Sequence, residues 1–302
     1  MSDRRLLVGA EGTHQGELRP ADWVALGTVA LTWGASFLFI AIGLDAFHPA
    51  VIGFGRIALG ALTLAFVPSA RRPAEPIRRA DLARLGLLAV TWMAVPLLLF
   101  PFAERSISSA LAGMLNGGMP IMTAVVAVLL GLRRPKGVQI TGLAVGFVGV
   151  VLISLPALSI GGDDALGVGL IMIALVCYAV SANLAVPLQQ RYGGPALMLR
   201  VEAIGAVLTA PFAIAGLGES TFRWSSMLAV LALGVAGTGA AFAVMAAVLG
   251  RVGATRGSMV TYLMPPVSIA LGVAVRGDHL DAVSVVGSAI VLVGAWLLGR
   301  GG

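Results

Sequence analysis

Long apolar runs separated by short polar breaks make up almost the whole chain. Ten runs can be drawn, at about 22–45, 50–68, 82–103, 107–131, 137–156, 165–189, 195–217, 225–249, 254–275 and 280–299. Each is close to the length of about 20 residues that a helix needs to cross hydrocarbon. Continuous runs of this length predict helices, because a lone span must satisfy its own backbone hydrogen bonds in lipid. A transmembrane barrel would instead show shorter, alternating segments.

The runs repeat. Moving along the chain by about 145 positions lays Trp33 on Tyr178, Ser36 on Ser181, Asn116 on Thr261, Met119-Pro120 on Met264-Pro265 and Thr123 on Ser268. Gly142 and Gly149 fall on Gly287 and Gly294 in the same register. Internal repeats in a membrane protein point to two related halves with a site between them.

Composition agrees. Hydrophobic residues are 58% of the 302, charged residues 11%, and mean hydropathy is +0.97. A soluble domain carries roughly a quarter charged residues, so this chain belongs in a bilayer. The net charge of +6 would suggest nucleic acid in a soluble protein. Here the cations sit in short loops, so no nucleic-acid partner is expected. Alternate loops hold Arg4, Arg5 and Arg19; Arg71, Arg72, Arg78, Arg79 and Arg84; Arg133, Arg134 and Lys136; Arg191; Arg251 and Arg256; and Arg300. The opposite loops hold only Arg105, Arg223 and Arg276. The basic side is expected to be cytoplasmic, with both termini on it. Five spans per half is an odd number, so the second half would enter the membrane inverted. The expected organisation is a cytoplasmic tail 1–21, a first five-helix repeat 22–156, an extracytoplasmic linker 157–164, a second repeat 165–299 and a cytoplasmic end 300–302. The N-terminus lacks the form of a signal peptide, so the first span is expected to insert uncleaved.

Leu31–Phe37 (LTWGASF), Gly55–Ala58 (GRIA), Asn116–Ile121 (NGGMPI), Gly142–Gly149 (GLAVGFVG) and Tyr262–Pro266 (YLMPP) together resemble the drug/metabolite transporter superfamily, EamA-type. Within it the chain is most similar to the YddG-type exporters of aromatic amino acids. The resemblance implies an all-α fold of ten helices in two five-helix repeats, residence in the cytoplasmic (inner) membrane, and export of amino acids or related compounds. The chain departs from the family after the fourth and ninth spans, where a Glu is common. Here Leu132–Lys136 reads LRRPK and Gly277–Leu280 reads GDHL, so no role of that Glu carries over.

Candidate substrate contacts follow from polar and aromatic residues inside spans. Asn116, Pro120 and Thr123 share one helix face, and Thr261, Pro265 and Ser268 repeat it. Pro120 and Pro265 each remove a backbone hydrogen bond, so they are the expected matched bends and gates. Trp33, Ser36, Tyr178, Ser181, Trp92, Met119 and Tyr262 complete the set. These residues are expected to wall a cavity between the first, third, fourth, sixth, eighth and ninth spans. Helix packing is the competing explanation, since Ser, Thr and Asn also join spans. The glycines of the fifth and tenth spans, Gly142, Gly146, Gly149, Gly287 and Gly294, suggest structural support, with a homodimer face as a second reading. Arg56 either snorkels to the outer end of its helix or presents a cation to a substrate carboxylate. Arg200 and Glu202 are read as interfacial, which leaves no carboxylate at mid-depth and disfavours a carboxylate-based proton mechanism.

Enzyme chemistry has little support. His14, His48 and His279 share no metal-ligand spacing, Cys177 is the lone cysteine, and no phosphate-binding Walker loop occurs. No cofactor or metal is expected. The function that fits is secondary transport of a small organic metabolite. The alternatives are a lipid-modifying membrane enzyme and a non-transporting receptor or assembly subunit.

Overall fold

A computed structural model describes residues 19–131, 137–252 and 260–300, without the side chains of 246, 247, 249–252, 262 and 298–300. The expected tail 1–21 therefore lies outside the described residues up to position 18, as do 301–302 and the expected start of the ninth span.

The described residues form helices and no strand. In chain order they are α1 (Pro20–Leu44), α2 (Pro49–Ala65), α3 (Arg79–Ala103), α4 (Ser109–Asn116), α5 (Met119–Leu129), α6 (Val138–Ile160), α7 (Gly162–Tyr192) and α8 (Gly194–Gly216). Then come α9, built of Trp224–Leu231, Ala232–Ala240 and Ala241–Val252 in succession, α10 (Val260–Leu271, continuing over Gly272–Arg276) and α11 (Ala282–Arg300). Among the described residues six helices are long and apolar enough to cross a membrane, and α4 with α5 makes a further pair bent by 41°. Shorter apolar stretches occupy α2, α10 and α11. The protein is a multi-pass membrane protein.

The linker expected at 157–164 is almost wholly helical. α6 runs to Ile160 and α7 starts at Gly162, leaving Gly161 between them at φ 75°. Gly193, at φ 83°, joins α7 to α8 in the same way. Only glycine adopts this backbone without strain, and Gly162 at the start of α7 shares it at φ 57°.

Two irregularities recur at matching places. α3 carries a π-helical stretch over Ala89–Ala94, and α9 carries one over Ala232–Ala240. The repeat offset lays the first inside the second. A π stretch releases carbonyls from the i→i−4 ladder and often marks a functional site.

The helices meet through glycine. A Cβ on Gly149 of α6 would lie 2.7 Å from the Gly287 carbonyl oxygen of α11, and a Cβ on Gly294 of α11 would lie 2.8 Å from the Gly142 oxygen of α6. Shifting both members of the first contact by the repeat offset gives the second. The same exchange relates Gly60–Glu202 to Gly205–Ile57 between α2 and α8. Residue numbers rise along one helix of each pair as they fall along the other, so both pairs are antiparallel. The small-residue faces of α6 and α11 thus pack against each other.

The loops segregate to two ends. At one end Asp81 accepts from Tyr192 Oη at 2.6 Å and pairs with Arg191 at 2.8 Å and Arg84 at 3.2 Å. At the other, Arg276 pairs with Asp45 at 3.0 Å, Thr221 N donates to Ala46 O at 2.8 Å, and Asp278 accepts from Ser109 Oγ and Ala110 N at the start of α4.

Gly294→Leu is expected to separate α6 from α11, because backbone atoms cannot give way to a side chain. The cost is about 1–3 kcal/mol or more, read as a lower Tm of the detergent-purified protein. Leu at exposed Gly169, where a Cβ meets nothing within 4 Å, is expected to leave Tm unchanged.

Candidate functional site

The aromatic candidates converge where α1, α3, α7 and α9 meet. Trp33 Nε1 donates to the Gly237 carbonyl at 2.8 Å, inside the π stretch of α9. An indole N–H in apolar surroundings needs such a partner, and the π geometry leaves a carbonyl to supply it. The Trp33 ring packs on Phe242 at 5.1 Å, and Trp92 meets the same Phe242 edge-on at 5.9 Å. Tyr178 stacks on Phe100 at 6.0 Å, and Phe100 contacts Phe37 at 5.8 Å. Trp33, Trp92 and Tyr178 pack against one buried cluster.

The hydroxyl candidates are mostly satisfied close to home. Ser36 Oγ donates to Thr32 O at 3.0 Å, Thr123 Oγ1 to Met119 O at 2.9 Å, and Ser268 Oγ to Pro265 O at 3.0 Å. Ser181 shares a hydrogen bond of 2.6 Å with Thr91 in the π stretch of α3. Asn116 Nδ2 donates to Met264 Sδ at 3.8 Å, joining α4 to α10. Met119 is half-buried against the core, and Thr261 is buried. The Tyr262 side chain lies outside the described residues.

The two prolines differ. Pro120 stands in the first turn of α5, just after the 41° break at Gly117-Gly118, where its missing N–H costs nothing. α10 instead runs unbroken through Pro265 and Pro266 from Val260 to Leu271. The Pro265 ring sits over Gly117, where a Cβ would come within 2.7 Å. The chain breaks just before Pro120 and stays helical through Pro265. The matched irregularities are the π stretches.

The charges are placed differently from expectation. Arg56 does not snorkel. It is 5% exposed, and its Nε donates to Thr238 Oγ1 at 3.3 Å, while Thr238 donates to Leu233 O within the π stretch. Glu202 is not interfacial. It is 0% exposed, and neither carboxylate oxygen has a hydrogen-bond partner. Arg200 does lie toward a helix end, donating to Ala70 O and Ala196 O. Glu104 is a third buried group, again with both oxygens unpartnered. It lines a cavity of about 470 Å³ at the end where Arg276 pairs with Asp45, together with His48, Arg105 and Glu219.

Phe242, Phe100, Thr91, Thr238 and Glu104 thus belong to the constellation although sequence reasoning passed over them, and Glu202, expected at the interface, belongs to it as well. Asn183 does too, donating from α7 to Thr123 O of α5 at 3.2 Å. The available signal was the run Gly234, Gly237, Thr238, Gly239, which reads as packing until the π stretch is seen. No group of three or more His, Cys, Asp or Glu that could hold a metal occurs among the described residues.

Comparison with known proteins places these features in context. The model of the EamA-like transporter family matches twice, over residues 22–155 and 165–300. A Streptantibioticus cattleyicolor protein described as a "Probable terminal-alkyne amino-acid exporter" is 24% identical over 94% of this chain and 95% of its own length. An Escherichia coli (strain K12) protein, "Uncharacterized inner membrane transporter YedA", is 26% identical over 89% of both chains. A solved crystal structure with 18% identity superposes with a TM-score of 0.65 over 93% of this chain, which shows a shared fold.

Phe242→Ala is expected to loosen Trp33 and Trp92 together. Removing a buried Phe costs about 3–5 kcal/mol. The readout is a red shift of tryptophan emission alongside a lower Tm. An unshifted emission would place the two indoles outside a common cluster.

Proposed function

The chain belongs to the EamA-like transporter family, and from that premise we propose that it exports amino acids, aromatic ones among them, by alternating access between two inverted halves. The halves are 22–156 and 165–299, five spans each, with α4 and α5 counted as one span. The paired contacts at Gly149–Gly287 and Gly294–Gly142 support this reading. Two antiparallel helices exchanged by a two-fold axis require that axis to be perpendicular to them, which is the membrane plane for spanning helices. Both termini then lie on the Arg-rich side, taken as the cytoplasm, in the inner membrane.

The observation that carries the substrate class is the aromatic cluster. Trp33, Trp92, Tyr178 and Phe242 come from both halves and share one cluster, and Tyr178 lies within electrostatic reach of the buried Arg56. A largely apolar site with few polar groups suits a zwitterion with a bulky side chain. The relative named as an amino-acid exporter supports the class. The π stretches of α3 and α9 are the points where each half can change shape, since their hydrogen-bond ladder is already interrupted. Pro120 adds a third such point in the first half. The protein is a carrier and no catalytic step is proposed.

Purified protein in sealed liposomes is expected to exchange internal unlabelled L-phenylalanine for external labelled L-phenylalanine. Trp33→Ala and Tyr178→Ala are expected to lower the exchange rate about tenfold or more, equivalent to a loss of about 1.4 kcal/mol, with correctly assembled protein. Exchange of no amino acid by the wild type would overturn the substrate class. For orientation, single cysteines at positions 12 and 301 in a Cys177→Ser background are expected to resist an impermeant thiol reagent in intact cells. Labelling of either from outside would reverse the topology.

A further inference from the structure

We propose that Glu202 is a proton-binding site of this carrier and that Arg56 is the counter-charge its proton controls. The coupling to transport rests on the carrier reading above; the proton site does not.

The argument begins with depth. Glu202 is eight residues into α8, about 12 Å from Gly194 at 1.5 Å per residue. Arg56 is seven residues into α2, about 10 Å from Pro49 on the same measure. Neither is near a helix end. Glu202 is fully buried with both oxygens unpartnered. An ionised carboxylate without hydrogen bonds costs several kcal/mol in such a place. Two things offset that cost: a proton, or the neighbouring cation.

The cation is held ready. Gly60, one turn after Arg56 on α2, has no side chain, and a Cβ there would lie 2.8 Å from Glu202 Oε2 and 2.7 Å from Thr238 Cγ2. Arg56, Gly60, Glu202 and Thr238 therefore form one junction of α2, α8 and the α9 π stretch. The repeat offset sets Glu202 beside the position matching Arg56, so opposite charges stand across the seam between halves.

Glu202 faces one charge, Arg56, while Arg56 faces two carboxylates, Glu104 and Glu202. Among the elements packed on α8, the π stretch of α3 has no titratable side chain. Arg56 is the charged group that Glu202 senses, and Tyr178 of α7 faces Arg56. Arg71, Arg84, Asp163, Asp164, Arg191 and Glu219 sit at or near the ends of their helices, and the Arg251 side chain lies outside the described residues. A metal cation needs several oxygen ligands, whereas this junction offers one carboxylate and one hydroxyl beside a guanidinium. A proton needs only the carboxylate. Glu104 borders the cavity at the helix ends and lies within electrostatic reach of Arg56. With Glu202 ionised, Arg56 has its partner. With Glu202 protonated, Arg56 is released toward Tyr178 and the aromatic cluster.

The test has two arms. In the first, full-length protein in nanodiscs is titrated while infrared difference spectra follow the carbonyl stretch of protonated carboxylic acids. A titrating band is expected in wild type and in Glu104→Gln and absent from Glu202→Gln. If Glu202→Gln fails to fold, Glu202→Asp decides, and its band is expected to shift in frequency. A band set unchanged by either Glu202 substitution overturns the proton site. In the second arm, liposomes with L-phenylalanine as probe receive an imposed pH gradient. Wild-type flux is expected to change about tenfold, and Glu202→Gln flux to ignore the gradient. Equal pH response in both proteins overturns the coupling. Absence of any L-phenylalanine flux, with the infrared band intact, counts against the substrate class alone.

Discussion

The close approach of helix backbones across the seam between the two halves is the constraint on which the rest depends. Lipid gives helices no hydrophobic reason to associate, so contact must come from packing. Glycine permits it here at Gly149, Gly287 and Gly294, where any side chain would strike a carbonyl on the facing helix. Gly60 and Gly205 let α2 and α8 approach, each facing a side chain of the other helix, Glu202 and Ile57. These contacts fix how far apart the halves stand. They thereby fix whether Trp33 of one half can reach the Gly237 carbonyl of the other, and whether Arg56 can reach Thr238.

The second theme is where backbone order is given up. A spanning helix is expensive to interrupt, because a freed carbonyl in hydrocarbon has no water to turn to. The π stretch of α9 gives its Gly237 carbonyl to the Trp33 indole of the other half and its Leu233 carbonyl to its own Thr238. The break before α5 lies where Gly117 meets the Pro265 ring of the other half. Both places touch a side chain of the other half, so local change in one half is felt in the other.

Much of this was legible in the sequence, and the limits have physical reasons. Run length gave the helices, because hydrocarbon thickness sets span length. The offset gave two matched motifs, and those motifs do meet, crosswise: Asn116 beside Met264, whose own match is Met119, and Gly149 beside Gly287, whose own match is Gly142. The π stretches were hidden because one extra residue per turn leaves hydropathy untouched. Phe242 and Phe100 were hidden because an apolar residue in an apolar run carries no contrast. Glu202 was misplaced for another reason. Counting residues from the end of an apolar run assumes the run starts at the membrane surface, yet α8 follows α7 after a single glycine and Glu202 is sealed by its neighbours.

An inverted repeat makes two halves alike in shape while leaving them free to differ in chemistry, and the charges fall where they differ. The position matching Arg56 is Val201, and the one matching Glu202 is Ile57. Both apolar mates are fully buried beside the charges. Were each half to carry both charges, four would crowd the axis. Were neither half charged, the two conformations related by exchanging the halves would be nearly equal in energy and insensitive to pH. One cation on one half and one carboxylate on the other leaves a neutral pair whose strength depends on the distance between α2 and α8. Any motion that opens that seam must separate the pair, and separating opposite charges in a medium of low dielectric is costly. Protonating the carboxylate removes that cost without moving a helix. Symmetry therefore supplies the two states, and this break in the symmetry of charge supplies a means of choosing between them.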